Sequence, residues 1–301
     1  MVQKPFLIVI GGPTAVGKTT LAIQLAQYFK TEIVSADARQ FYKKMDIGTA
    51  KPSLEELSSA KHHFIDCLEI DQEYTAGRFE NDALQTISAI HSKNQYAILV
   101  GGSGLFIKAV CSGLDDIPTI DPTIRETLNK EFQDYGLQPL VNKLKQLDID
   151  YYNIVDRQNS QRVIRALEVC IGTNKPYSSF RHGRVKSRPF HTIKIGLELP
   201  REILYDRINA RVDAMLAQGL EQEVKNLYPY RHLNSLKTVG YQELIDYFDG
   251  IITKEDAINM IKQNSRRFAK RQMTWFKKDT EFTWFSPFEF EKIVAFILSK
   301  K

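Results

Sequence analysis

Cysteine is scarce: three in 301 residues, at Cys67, Cys111 and Cys170, with no C-x-x-C pair. That excludes a disulfide framework and a thiolate zinc site, and it fits a reducing compartment. Long apolar runs are missing as well. The first, Phe6 to Ile10, flows straight into glycines and is too short for the apolar segment of a secretory signal; no run reaches membrane-spanning length. A cytoplasmic protein with no membrane partner is expected. Neither sign of charge dominates. The 41 Lys and Arg against 36 Asp and Glu leave +5, which permits a nucleic-acid partner without requiring one. Internal repeats and low-complexity segments are absent. The 43% hydrophobic and 26% charged content is the ordinary balance of a globular chain.

What is present is a complete G-x-x-x-x-G-K-[ST] run, Gly12-Pro13-Thr14-Ala15-Val16-Gly17-Lys18-Thr19. An apolar strand pattern precedes it, and Leu21, Leu25 and Phe29 share a helical face after it. Strand, glycine loop and helix make the context of a phosphate-binding loop. Such a loop aims backbone N–H groups into a concavity at a helix N-terminus, where the dipole also favours anions. Lys18 adds a point charge, and the Thr19 hydroxyl is placed to reach Mg²⁺. A diphosphate or triphosphate ligand is expected.

Further short runs alternate with helical patterns: Ile33-Val34, Phe64-Ile65 ending at Asp66, residues 97–100 ending at Gly101-Gly102-Ser103-Gly104, and residues 192–197. This predicts an α/β fold with a parallel sheet flanked by helices. Ligands in such sheets sit beyond the carboxyl ends of the strands, so Gly12–Thr19, Asp37, Asp66 and Ser103 should converge. Between 113 and 189 no strand pattern appears. Asp121-Pro122 opens a helix ending near Gly136, Pro139 begins a second and Ser160 caps a third. The division is a core of 1–112 and 190–301 with an inserted helical subdomain, 113–189. The insertion closes on a basic stretch holding Arg181, Arg184, Lys186 and Arg188. From Leu204 onward the chain reads as mostly helical, and Thr253 starts a long helix running to about Lys278.

The usual acid for Mg²⁺ at the end of a second strand is poorly matched, since residues 97–100 end in glycines. This leaves room for a diphosphate that departs as a leaving group. Asp37, two residues past a strand, suits a general base and equally a turn or N-cap aspartate. Ser103 between glycines suits a ligand contact or a helix cap. Arg207 and Arg211, one turn apart, suit a lid over the phosphate loop or surface pairs with Asp206 and Asp213. Residues 265–278, SRRFAKRQMTWFKK, place Arg267, Arg271, Thr274 and Lys278 on one stripe with aromatics interleaved, which suits an RNA backbone and splayed bases.

Taken together, the phosphate loop, Asp37-x-x-Gln40-x-Tyr42, residues 45–52 (MDIGTAKP), residues 100–105 (VGGSGL), Gln161-Arg162-x-x-Arg165-Ala166-Leu167-Glu168 and Ala269-Lys270-Arg271-Gln272-x-Thr274-Trp275 resemble the tRNA dimethylallyltransferase family, in order and over nearly the whole chain. The resemblance implies a P-loop-kinase-like core. It also implies transfer of a dimethylallyl group from dimethylallyl diphosphate to N6 of the adenosine just 3′ of the anticodon, in tRNAs reading codons that begin with U. It makes Asp37 the base, with Lys18, Ser103, Arg211 and the amides of residues 14–19 on the diphosphate and Mg²⁺ near Thr19. The anticodon stem-loop would meet Asp37, Ala38, Arg39, Gln40, Ser103, Arg125, Gln161, Arg162, Val163, Ile164, Arg165, Arg267, Lys270, Arg271 and Thr274. Two departures stand out. Ala38 replaces the serine that usually follows the aspartate, and Ser103 replaces a threonine. A monomer is expected. Other readings of the same loop are a prenyltransferase acting on free adenine nucleotides and a small-molecule kinase.

Overall fold

The chain is described here by a computed structural model covering residues 4–183 and 185–301, so Arg184 of the basic stretch lies outside the described residues. The first half runs β1 (Phe6–Gly11), α1 (Lys18–Phe29), β2 (Ile33–Ser35), α2 (Leu54–Ser59), β3 (His62–His63), α3 (Ala76–His91), β4 (Tyr96–Gly101) and α4 (Gly104–Ser112). Four helices follow without a strand: α5 (Pro122–Tyr135), α6 (Leu137–Leu147), α7 (Ile149–Ile154) and α8 (Ser160–Thr173). The chain then returns through β5 (His191–Leu197), α9 (Arg201–Ala217), α10 (Leu220–Leu227), α11 (Tyr241–Phe248), α12 (Lys254–Phe276), β6 (Thr283–Phe285) and α13 (Phe290–Leu298).

Six strands form one sheet in the order β3-β2-β4-β1-β5-β6, every pair parallel. Alternation along β1 explains why it is apolar throughout. Leu7 and Val9 enter one core, while Phe6, Ile8 and Ile10 enter the other, on the opposite face. Leu7, Ile8, Val9 and Ile10 are fully buried, each contributing roughly 1.5–3 kcal/mol relative to exposure. In register, Gly11 lies beside Gly101 of β4, so the loops that leave both strands start at the same level. β2 joins from the other side of β4, with Ser35 opposite Val100.

Backbone contacts separate Ser112–Lys186 from the rest of the chain. The boundary falls before 189 because Arg188 belongs to the first unit, where it donates to Glu80 and to the Ala109 carbonyl, each at 2.7 Å. The second unit is helical, with its own core of Leu128, Leu140, Leu144, Val163, Ile164 and Leu167 among others. α6 begins at Leu137, two residues ahead of Pro139. A proline there is tolerated because first-turn N–H groups have no intrahelical acceptor. α8 is capped by Asn159, whose side chain accepts from the Arg162 amide, and not by Ser160. α7, unanticipated from sequence, is capped by Asp148.

Two strand expectations need correction. β3 is His62–His63, because Phe64 and Asp66 turn left-handed at φ 63° and 51° and take the chain out of the sheet. The Phe64 ring packs edge-on against Phe79 instead. β6 is three residues inside a stretch expected to be helical.

Gly101 marks a close crossing of two backbones. A Cβ there would fall 2.1 Å from the Ala36 carbonyl oxygen, where the chain leaving β2 donates its Ala36 amide to Val100. Gly101→Ala should therefore lower unfolding stability by about 1–3 kcal/mol or more, read as a drop in urea midpoint, because overpacking against backbone has no flexible neighbour to absorb it.

Candidate active site

The loop after β1 turns through Ala15 at φ 63° and closes at Gly17, φ 108°, which heads α1. The amides of Gly17, Lys18 and Thr19 stand at the helix start, where the helix supplies no acceptor for them, the arrangement that suits a bound anion. Lys18 Nζ donates to the carbonyls of Gly12 (3.0 Å) and Pro13 (2.6 Å), arching over the loop. One amide expected on the anion is not available. Thr14 N donates to Gln272 Oε1 at 2.8 Å, and Gln272 Nε2 donates to the Gly102 carbonyl at 3.0 Å. Buried Gln272 of α12 therefore ties the phosphate loop to the end of β4.

These groups line a cleft of about 820 Å³ at the carboxyl end of the sheet, together with Asp37, Gln40, Asp66, Arg207 and Arg211. Gly101 and Gly102 line it too, with Ser103 the next residue. Asp37 serves the turn, where its Oδ1 accepts from the Arg39 amide at 3.0 Å, and is also exposed to the cleft. Ser103 Oγ accepts from the Ala38 amide at 3.0 Å. Gln40 Nε2 donates to the carbonyls of Thr49 (3.2 Å) and Ala50 (3.1 Å). The Asp66 carboxylate is engaged by Lys51, which also reaches Asp46. Arg39 extends toward the Lys237 carbonyl at 3.5 Å.

Charge is concentrated here at low solvation. Burial pulls the Lys18 ammonium down to about 7; the Asp37 carboxylate opposes that shift and the Arg211 guanidinium deepens it. Arg211 lies 3.5 Å from the Thr14 hydroxyl, and burial, then Arg207, lower its pKa. A guanidinium stays charged under such a shift. Asp213, considered as a partner for the α9 arginines, is instead paired with Lys262 of α12 at 2.6 Å.

α12 exposes Arg267, Lys270, Arg271 and Thr274, with Phe268, which also lines the cleft, and Trp275 about two-fifths exposed. The Arg271 guanidinium sits 5.8 Å from the Phe268 ring. In the helical unit, Gln161 and Arg162 are exposed on α8. Arg125 and Arg165 both bind the buried Glu168 carboxylate at 2.9 Å, and Arg125 also donates to Gln161. Val163 and Ile164, expected among RNA contacts, are at most 1% exposed and fill that unit's core, so their side chains have no surface to offer.

Gln272 and the loop of residues 46–52 line the cleft, and sequence reading left both without a role. A glutamine at helical spacing between buried Ala269 and Phe276 was the available signal for the first.

A family model described as IPP transferase matches residues 40–279. The chain is 52% identical over 280 residues to a tRNA dimethylallyltransferase of Christiangramia forsetii, covering 93% of each. It resembles the crystal structure of a tRNA isopentenylpyrophosphate transferase from Bacillus halodurans (TM-score 0.73, 38% identity, 99% of this chain and 97% of that one). A eukaryotic dimethylallyltransferase solved acting on tRNA matches with TM-score 0.78 and 27% identity, covering 98% of this chain and 77% of that one.

Two measurements test the site. Gln272→Ala should weaken inorganic diphosphate binding by about tenfold in calorimetry, because the loop loses its anchor to β4. With Lys18 lowered to about 7, the free enzyme should hold it mostly neutral at pH 8, and a bound diphosphate should restore the ammonium. Wild type should then take up about one more proton on binding than Lys18→Arg, whose group is always charged. At pH 6, below the lowered value, that difference should vanish. Equal uptake at pH 8 would place the lysine elsewhere.

Proposed function

We propose, for a chain that belongs to the IPP transferase family of tRNA-modifying enzymes, that the donor is dimethylallyl diphosphate and the acceptor is N6 of the adenosine 3′-adjacent to the anticodon. The observation that carries this reading is the convergence, in one cleft, of Asp37 and Gln40 with the phosphate loop, Lys18 and Arg211. The cleft is large enough for a five-carbon diphosphate and one nucleoside together. All of its lining comes from one unit of a single chain, which supports a monomer as the acting species.

An exocyclic adenine amine is a weak nucleophile because its lone pair is delocalised into the ring. As N6 bonds to the allylic carbon, the carbon–oxygen bond breaks and its electron pair leaves with the diphosphate. The amine becomes acidic as that bond forms, and the Asp37 carboxylate takes its proton. Negative charge grows on the leaving oxygens, where the loop amides, Lys18, Arg211 and Arg207 are already oriented. The Ser103 hydroxyl accepts from Ala38 and keeps its proton for the bridging oxygen.

Gln40 has both amide protons committed to Thr49 and Ala50, so it offers the cleft an acceptor. That suits the second proton of an exocyclic amine. The base must leave its stack to arrive, at a cost of about a few kcal/mol. The cationic, aromatic face of α12 supports RNA as the offsetting partner, as do Gln161, Arg162, Arg125 and Arg165 in the helical unit. That same surface favours tRNA over a free nucleotide, which needs no such face.

Mg²⁺ fits the donors present. Thr19 supplies one hard oxygen in the cleft, and substrate phosphate and water would complete the shell, while Asp66 is spoken for by Lys51. When bound there, the ion neutralises charge on the diphosphate. A tRNA substrate also carries the expectation of a cytoplasmic location.

Labelled dimethylallyl diphosphate, Mg²⁺ and a tRNA reading a U-initial codon should yield labelled tRNA, and AMP should compete poorly. Asp37→Asn should lower kcat by about 10²–10⁴-fold while diphosphate and tRNA affinities hold. Unchanged turnover would remove Asp37 from the base role. Chelation should suppress transfer, and Thr19→Val should raise the Mg²⁺ concentration needed to restore it.

A further inference from the structure

We propose that Glu223 and Tyr241 are positioning residues for base recognition: by clamping the loop of residues 46–50 they fix Gln40 with its carbonyl oxygen toward the cleft. This rests on the reading of Gln40 given above.

Three consecutive amides converge on one carboxylate. Asp46 N and Ile47 N donate to Glu223 Oε2 at 3.0 and 2.8 Å, and Gly48 N donates to Oε1 at 3.0 Å. Successive N–H groups of this kind form an anion-binding concavity, and here the anion is a side chain of α10. The Tyr241 hydroxyl donates to the same Oε1 at 2.6 Å. Tyr241 is fully buried, and burial and the Glu223 charge both raise its phenol pKa, so it remains a donor. The fit leaves no slack, since a Cβ at Gly48 would fall 2.4 Å from the Tyr241 ring.

The clamp is transmitted over two residues. Thr49 Oγ1 donates to the Met45 carbonyl at 2.6 Å, and Ala50 N to the Ile47 carbonyl at 2.9 Å, closing the loop on itself. The carbonyls of Thr49 and Ala50 then point at Gln40 and take both protons of its amide nitrogen. The Gln40 oxygen, with the Ser35 hydroxyl 3.4 Å away, keeps acceptor capacity for the base. Asp46, Ile47, Thr49 and Ala50 line the cleft, and Glu223 bonds this loop from α10. Adenine presents a donating amine at its 6-position, whereas a 6-oxo purine presents an acceptor there and is repelled by an acceptor. If the loop relaxes, the Gln40 amide is free to turn over, and its nitrogen then tolerates the 6-oxo base.

Glu223→Gln keeps the size of the side chain but sets an NH₂ group against amides that need an acceptor. The test measures binding of two anticodon stem-loops, with adenosine or inosine at the target position, alongside diphosphate affinity and melting temperature. Wild type should prefer adenosine. Glu223→Gln should narrow that preference by about tenfold and lower kcat/KM for transfer in parallel, with diphosphate affinity unchanged and the protein still folded, its melting temperature lower by about a few degrees from the amides left without an acceptor. Tyr241→Phe, which leaves the three amide bonds in place, should narrow it less. A folded Glu223→Gln with full preference overturns the proposal, as does equal weakening of both RNAs and of diphosphate, the mark of a general brace. Should Glu223→Gln not fold, Tyr241→Phe decides: a several-fold narrowing supports the clamp and an intact preference overturns it. A wild type blind to the base sinks the reading of Gln40 itself, a result distinct from a variant that keeps its preference.

Discussion

Parallel pairing of β1 with β4, and of β4 with β2, sends three chain segments out of the sheet at one edge and at one level. The phosphate loop, Asp37 and the glycine run inherit their places from that alignment. The phosphate loop leaves β1, Asp37 follows β2, and the glycine run leaves β4. Because side chains alternate across each strand, a shift of one residue in any pair would move a whole apolar set to the wrong face. Two buried cores therefore hold the register, and the register holds the site.

The alignment gathers polar and charged groups in one partly desolvated cleft. Burying Lys18 disfavours its charge, and a nearby carboxylate only partly offsets this. Such a site stores affinity for an anion that brings its own charge, because the ligand removes a repulsion between cations already in place. The same low solvation makes unmade hydrogen bonds expensive. Gln272 answers this at the loop and Glu223 at the 46–48 turn, each a side chain meeting backbone groups that would otherwise lack a partner. Both sit on C-terminal helices, far in sequence from what they hold. The C-terminal helices thus complete an active site whose reacting groups come mainly from the first hundred residues.

The sheet, the phosphate loop and the convergence of strand ends were legible in sequence, since periodic apolar runs and a glycine pattern are local signals. Asp37 was legible as a position but not as a role, because an aspartate past a strand serves a turn or a base, and here it serves the Arg39 amide while facing the cleft. What could not be read depends on contacts across long separations. Gln272 meets Thr14 across 258 residues, and Glu223 meets Gly48 across 175. β6 escaped notice because three residues carry too little alternation. Val163 and Ile164 entered the expected RNA contacts only because the family motif spans them; a helix turns by about 100° per residue, which puts them on the apolar face, and their side chains are buried there.

The two departures from the family pattern meet in one hydrogen bond. Ala38 has no hydroxyl, yet its amide is partly buried and needs an acceptor, which Ser103 Oγ provides. A hydroxyl can accept at one lone pair and donate its proton elsewhere, so holding the Ala38 amide does not remove Ser103 from the leaving oxygen. It does orient the proton. With one lone pair fixed toward Ala38, the hydroxyl has fewer directions in which to donate. A threonine would present the same oxygen with a methyl that restricts rotation about its side-chain bond. Serine lacks that restriction and relies on the amide contact instead. The backbone turn after β2 therefore helps aim the hydroxyl at the end of β4, which makes the Asp37 turn and the glycine run parts of a single unit.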